Sequence, residues 1–338
     1  MRILYYESNS YEPWWNLAVE QFLSEQIRKG DVLLYLWQND RTVVIGRNQN
    51  ALRECRADLL EAEGGYLARR STGGGAVYHD LGNLCFTFAA DPACYDLTRQ
   101  MKVIQAACAK LGIATQLSGR NDIITEDGRK FSGNAFSKTG ACQLQHGTVM
   151  VDVDREMLSR YLTPSPLKLQ AKGITSVRSR VCNLKEICPD VTISSLKEAL
   201  RTAFREEYGP YQETGITQDD IGKIRGIYDD KYASWEWRYG KTPKFRLSKE
   251  RLFSWGEVQL LLEVQNMCIR ECEVYSDCLD TELPAWIRKT LTGLIYEKKH
   301  LKEACAAFSE KKDSMKQLTP DQAERICEVL CWLEESYL

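Results

Sequence analysis

The sequence predicts an α+β fold in two parts, and three observations carry that expectation. Apolar, β-branched runs such as VLLYLW, TVVIG and NLCFTFAA are mixed with helical patterns, with no repeat and no low-complexity segment. At 338 residues the chain is long enough for about two cores. Around 209–250 the composition turns richer in Gly, Pro and charge, and YASWEWRYGKTPKF has no clean periodicity. A larger domain over 1–247 and a small α+β domain over 252–338 are therefore expected.

RILYY (2–6) reads as a short strand, and NLAVEQFLSEQIRKG has helical spacing after a break at Pro13. VLLYLW (32–37) and TVVIG (42–46), separated by the turn-like QNDR, predict a hairpin. GYLARR leads into a glycine-rich loop, and NLCFTFAA leaves it with strand composition. A helix over 98–111 ends at Gly112. DIIT, a turn at EDGR, and KFSGNAF follow. In HGTVMVDVD, Val149, Val151 and Val153 alternate with polar neighbours as in a half-buried strand. Residues 192–208 read as helical. Beyond the boundary, VQLLLEV and CIRECEV predict a second hairpin, and helical patterns follow near 284–296, 299–310 and 320–336.

Several function classes are disfavoured by composition. Lys+Arg 45 against Asp+Glu 47 leaves a net charge of −2, so no global basic field exists to grip nucleic acid or an anionic bilayer. No run approaches the roughly 18 apolar residues of a membrane span. The N-terminus resembles neither a signal nor a transit peptide, so a cytoplasmic location is expected. None of the 13 cysteines forms a C-x-x-C pair, which points to reduced, mostly buried thiols, and Cys327 and Cys331 have the spacing of core-facing helix positions. Three histidines without metal-ligand spacing argue against structural zinc. Mg²⁺, which needs only carboxylates and phosphates, is the metal to consider.

RRSTGGGAVYHD (69–80) is the densest chemical stretch. Gly73, Gly74 and Gly75 permit close backbone approach, so successive N–H groups can converge on an anion. It is neither a Walker A loop nor a G-x-G-x-x-G turn, and a flexible surface hairpin is the plain alternative. Arg69, Arg70 and His79 favour an anion site, because guanidinium forks suit phosphate and carboxylate oxygens. Neighbours in a strand face opposite ways, so one arginine is expected to meet solvent or a structural partner. A second stretch, SGRNDIITEDGRKFSGNAF, places Lys130 before the tight Ser132-Gly133 step with Asn121-Asp122 nearby. A surface lysine is the competing reading. Lys172, Arg178 and Arg180 add positive potential nearby, or lie on a strand's outer face.

ARRSTGGGAVYHDLGNLCFTF, GRKFSGNAF, HGTVMVDVD and AKGITSVRSRVCNL, in that order, resemble the lipoate-protein ligases of the two-domain bacterial type. The likeness begins at SYEPWWNLAVE and WQNDRTVVIGRNQN, and SWEW and FSWG extend it into the small domain. It implies a mixed-sheet catalytic domain of the biotin and lipoate ligase type, followed by a mobile C-terminal domain. It also implies that lipoate and MgATP form lipoyl-adenylate, which then acylates a lysine of E2 lipoyl domains or the glycine cleavage H protein, with a monomeric enzyme.

Carried onto this chain, the resemblance makes Lys130 the group bridging acyl carbonyl and α-phosphate. Arg70, Gly75, Ala76, Val77, Tyr78, Lys130 and Asp122 would meet ATP, with Asp122 the candidate for Mg²⁺ or as the partner of Lys130. Trp37, Glu20, Arg70, Ser71, Thr72, Gly74, His79 and Lys130 would surround lipoate, His79 shaping the site rather than acting as a base. Ser137-Lys138 stands where some ligases have an arginine. A lipoyl or octanoyl transferase would need a thioester-forming cysteine, and neither 119–122 nor 162–164 holds one, Cys142 being the nearest thiol. A non-catalytic lipoate-binding protein would be favoured by loss of Lys130 or of the glycines, and both are present. A rearrangement between the two reaction steps is expected to hinge within 240–252.

Overall fold

The structure, a computed structural model, describes residues 2–119, 122–139, 141–163, 181–240, 247–265, 267–311 and 317–336. Asn121, Lys172, Arg178, Arg180 and residues 241–246 of the expected hinge lie outside the described residues. The chain divides into two compact units, Met1–Arg47 with Ala51–Lys241, and Asn48–Asn50 with Thr242–Leu338.

In the first unit, eight strands form one mixed sheet: β1 (Arg2–Glu7), β2 (Asp31–Trp37), β6 (Asn83–Ala90), β7 (Thr115–Ser118), β8 (Asp122–Thr125), β9 (Lys130–Thr139), β10 (Cys142–Met150) and β11 (Gln212–Glu213). Their order is β11-β1-β2-β6-β10-β9-β8-β7. A second sheet holds β3 (Thr42–Ile45), β4 (Tyr66–Arg69) and β5 (Val77–His79) in the order β4-β3-β5.

VLLYLW and TVVIG therefore do not make the expected hairpin. β2 pairs with β1 and β6, whereas β3 pairs in parallel with β4 and antiparallel with β5. The four residues between them are tied elsewhere. The Asp40 N–H donates to Tyr11 O, the Tyr66 N–H donates to Arg41 O, and Arg41 takes a φ of 36°. An apolar run buried on both faces has no intrinsic preference for its chain neighbour, so tertiary ties decide its partner.

Every residue of β2 and β6 is buried, and alternation sorts them onto two faces. Val32, Leu34, Leu36, Phe86 and Phe88 pack with helices α2 (Leu97–Lys110) and α4 (Ile193–Tyr208). Leu33, Tyr35, Trp37, Cys85 and Ala89 face α1 (Pro13–Glu25), through Leu17, Ala18 and Phe22. Pro13 opens α1 rather than breaking before it, since its missing N–H costs nothing at the first helical position. The strand expected around Val149–Val153 lies earlier and ends at Met150. Val151 and Val153 stay buried beyond it, where the carbonyl of Gly82 accepts from the N–H groups of Val151 and Asp152. Asp154 then caps α3 (Arg155–Tyr161).

The second unit holds a sheet of β12 (Leu247–Phe253), β13 (Gly256–Gln265) and β14 (Cys268–Ser276) in that order. The expected hairpin β13–β14 forms, with Met267 at φ 60° in its turn, and β12 is an added edge strand that its polar composition concealed. Helices Leu283–Leu291, Lys298–Lys311 and Pro320–Glu335 follow. Leu260, Leu262, Ile269, Ile287 and Leu330 form this unit's own core. Cys327 and Cys331 are half-buried, so neither is a full core position. Among the described residues no helix is long and apolar enough to cross a membrane.

Candidate functional site

Strand register assembles the site. Tyr35 pairs with Thr87, Thr87 with His146 and His146 with Ala135, so a row runs across β2, β6, β10 and β9. Directly paired residues point to the same face, so Trp37, Cys85, Thr87, His146 and Ala135 all face α1. Two places further along β9, Gly133 belongs to that face too, opposite Thr148.

A buried hydrogen-bond chain crosses this face. The indole Nε1–H of Trp37 donates to Thr87 Oγ1 at 3.1 Å, and that hydroxyl donates to Glu20 Oε1 at 2.6 Å. Nδ1 of His146 lies 2.8 Å from the same carboxylate oxygen, and its Nε2 lies 2.7 Å from Thr72 Oγ1. Thr72 in turn accepts from Arg70 Nε at 3.1 Å. Glu20 is 2% exposed, and Thr72 and Thr87 are equally enclosed.

Arg70 organises the glycine loop. Its Nη1 donates to the carbonyl of Val44 at 3.2 Å, and its Nη2 donates to Gly73 at 2.7 Å and Gly75 at 2.9 Å. The fork expected on phosphate thus holds loop carbonyls in this structure. Arg69 takes the structural partner: its Nε donates to Trp237 O at 2.7 Å, and its Nη1 to Gly46 O at 3.1 Å and Arg47 O at 2.9 Å. Gly74 needs its lack of a side chain, at φ 94°. Gly75 is exposed, Ala76 and Val77 are half-buried, and the Tyr78 ring is in the core, tilted against that of Tyr161 with centroids 5.7 Å apart. Only the backbone of Tyr78 can serve a ligand. Ser71 is half-buried and its hydroxyl meets that of Tyr232.

On the same face, Lys130 Nζ lies 2.7 Å from Asp122 Oδ1. A Cβ built on Gly133 would sit 2.7 Å from that Nζ and 3.0 Å from Cε, so the ammonium rests where only glycine leaves room. Lys130 is anchored at the start of β9 by the Cys182 N–H, which donates to its carbonyl at 2.9 Å. A carboxylate partner and a glycine floor distinguish it from a solvated surface lysine.

His79 is enclosed, and burial, reinforced by the charge of Arg70, pushes its pKa down to about 3. Asn39 Nδ2 donates to its Nδ1 at 3.2 Å, which leaves a neutral ring suited to shaping the site. Burial pushes the Cys142 thiol up to about 11 and Cys85 well above its ordinary range, so neither is an activated nucleophile. Among the described residues no three His, Cys, Asp or Glu side chains converge on a metal position.

The structure thus brings Trp37, Glu20, Thr72, Arg70, Lys130 and Asp122 to one region. His146, Thr87 and Gly133 join them, and none of these three was named as a site residue from sequence. Glycine at 133 was visible as a tight step, but its role as a floor depends on Lys130 folding back over it. His146 and Thr87 become legible only through β10–β6 register.

Comparison with known proteins adds independent findings. The family model described as the lipoyl protein ligase A/B catalytic domain matches residues 12–205, and that of the bacterial lipoate protein ligase C-terminus matches 242–327. Lipoate-protein ligase A of Psychrobacter cryohalolentis is 40% identical over 341 residues, covering 98% of each chain. The crystal structure of P. falciparum LipL1 in complex with lipoate aligns with a TM-score of 0.82 at 30% identity, over 99% of this chain and 100% of that one. A lipoate-protein ligase A bound with ATP aligns with a TM-score of 0.62 at 29% identity, over 71% of this chain and 98% of that one.

Proposed function

The chain belongs to the lipoate-protein ligase family, and we propose that it activates lipoate with ATP and passes the lipoyl group to a protein lysine. The observation that carries this reading is the Lys130 ammonium, paired with Asp122 and seated over Gly133 on the face that also bears the glycine loop's anchor, His146.

Adenylation joins two anions. A carboxylate oxygen of lipoate attacks the α-phosphorus of ATP, pyrophosphate leaves, and lipoyl-AMP forms. Fixed positive charge and N–H donors must already stand where the new charge develops. Lys130 supplies that charge between acyl carbonyl and α-phosphate, with Asp122 holding it in place. Backbone groups of Gly75, Ala76, Val77 and Tyr78, on the loop that Arg70 shapes, take the nucleotide. In the second step a lysine amine attacks the acyl carbonyl, and Lys130 stabilises its oxyanion before AMP departs. Trp37, with Glu20 behind it, lines the path of the apolar acyl chain, and Ser71, Thr72 and His79 close its polar end. Residues 1–247 would perform this chemistry and 252–338 would be accessory.

Mg²⁺ is proposed only as the companion of the triphosphate. Asp122 is the carboxylate nearest to hand, but it already pairs with Lys130, and no step is derived through the metal. The proposed acceptors are E2 lipoyl domains and the glycine cleavage H protein, met in the cytoplasm by a monomeric enzyme. The raised thiols of Cys85 and Cys142 disfavour a thioester mechanism.

The test is pyrophosphate release on mixing protein, lipoate and MgATP without acceptor, beside Lys130→Ala. Lipoate-dependent release in the wild type and its loss by at least about a hundredfold in the variant is expected. Release that survives the substitution would remove Lys130 from the chemistry, and no release from lipoate-binding protein would redirect attention to thioester donors.

A further inference from the structure

The chain from Trp37 to Arg70 runs between the two subsites assigned above, and it rests on that assignment. Both of its ends are donors. An indole Nε1 and a guanidinium Nε can only donate, and each threonine hydroxyl has one proton to pass on. Thr87 accepts from Trp37 and so gives its proton to Glu20. Thr72 accepts from Arg70, and opposite a neutral His146 ring protonated on Nδ1 it gives its own proton to Nε2. In that tautomer the Nδ1–H donates to Glu20 Oε1. Both arms end on one carboxylate oxygen, and at the loop end the Arg70 Nε–H is shared between Thr72 Oγ1 and the carbonyl of Gly73, each at 3.1 Å.

We propose that His146 is a positioning residue through which the acyl-chain wall at Trp37 and the nucleotide loop at Arg70 sense one another. Three features support this. The chain is buried at every internal member, where hydrogen bonds are stronger and a broken one is costly. It spans five separate elements, β2, α1, β6, β10 and the glycine loop, and its last step, from His146 to Thr72, joins the sheet to the loop through side chains. Its loop end is Arg70, whose other donors hold the carbonyls of Gly73 and Gly75, so a shift of Thr72 moves the surface that meets nucleotide. An acyl chain that seats Trp37 in the position bonded to Thr87 orders Glu20 and His146, and through Thr72 it orders the loop. Lipoate should therefore tighten nucleotide binding, and by reciprocity nucleotide should tighten lipoate binding.

The measurement is calorimetric titration of wild-type protein with α,β-methylene ATP, whose α–β bridge cannot be cleaved, with and without saturating lipoate. Coupling within roughly 5–150-fold is expected. Thr87→Val removes one hydroxyl at nearly constant volume, and the coupling ratio should fall towards one, with recovery in Thr87→Ser. Thr72→Val breaks the other arm and should do the same, which keeps the test decisive if either valine variant misfolds. A wild type without coupling, or valine variants that keep the wild-type ratio, would overturn the proposal. Pyrophosphate release separates this from the ligase reading: its absence from wild type counts against the enzyme assignment, whereas release with uncoupled binding counts against the chain's role.

Discussion

Gly133→Ala should separate folding from chemistry. The new Cβ would lie 2.7 Å from Lys130 Nζ and 3.0 Å from Cε, well inside ordinary contact, and the nearest other atom, Asp122 Oδ1, is 3.9 Å away. Only the end of a flexible side chain is in the way, so the backbone need not move. Gly133 has no left-handed φ, and alanine in a strand is favoured over glycine by about 0.5–1 kcal/mol, so the melting temperature should hold or rise. The ammonium, however, must retreat by roughly 1 Å, and a displacement of that size at a reacting centre costs about a hundredfold in rate. A hundredfold is about 2.7 kcal/mol of transition-state stabilisation. Lipoate-dependent pyrophosphate release, followed at saturating substrates beside a thermal melt, reads both quantities. A variant that melts normally and keeps more than half of the wild-type rate would refute the claim that the Lys130 position over Gly133 matters. A variant that unfolds would refute the claim that only the side chain is displaced.

Two further outcomes follow from the same geometry. A Cβ at Gly46 would meet Gly74 O at 2.2 Å, backbone against backbone, whereas one at Gly75 meets nothing within 4 Å. Gly46→Ala should cost about 1–3 kcal/mol in urea unfolding, and Gly75→Ala should stay within about 0.5 kcal/mol of wild type while raising the KM for ATP. His79 gives a pH signature. Its folded pKa of about 3 lies below the ordinary value of 6.5, so the unfolded chain binds a proton the folded one refuses, and stability falls as pH drops through 6.5 towards 3. Between pH 7 and 5 the wild type should lose about 2 kcal/mol more than His79→Gln in urea unfolding, and equal losses would contradict a buried neutral ring.

Much of the fold was legible because apolar periodicity reports burial directly, as in Ile193–Tyr208 and the strand NLCFTFAA. The failures share one cause. VLLYLW and TVVIG are each buried on both faces, so nothing local says which strand each will pair with, and proximity in the chain suggested a hairpin that β4 and β5 pre-empt. Val149, Val151 and Val153 alternate as a strand does, yet alternation persists past Met150 because the loop beyond is also buried. In the site, Lys130, Arg70, Trp37, Glu20 and Thr72 stood out through motif resemblance. His146 and Thr87 did not, since a single histidine or threonine in a strand carries no signal until register places it opposite another chemical group. The Arg69–Arg70 pair was resolved in part: opposite facing was expected, and Arg69 indeed turns to Gly46 and Trp237.

The burial of the cysteines has a consequence for the cargo itself. Lipoate ends in a strained five-membered disulfide, which any thiolate can open by exchange, and this domain offers it thiols at Cys85 and Cys142 beside the face where it would lie. With its pKa near 11, Cys142 is ionised in only about one molecule in ten thousand at neutral pH, and burial likewise holds Cys85 in its neutral form. The enclosure that makes these thiols poor nucleophiles also makes them harmless neighbours, so the ring can pass through intact and reach its acceptor in the oxidised state in which it arrived.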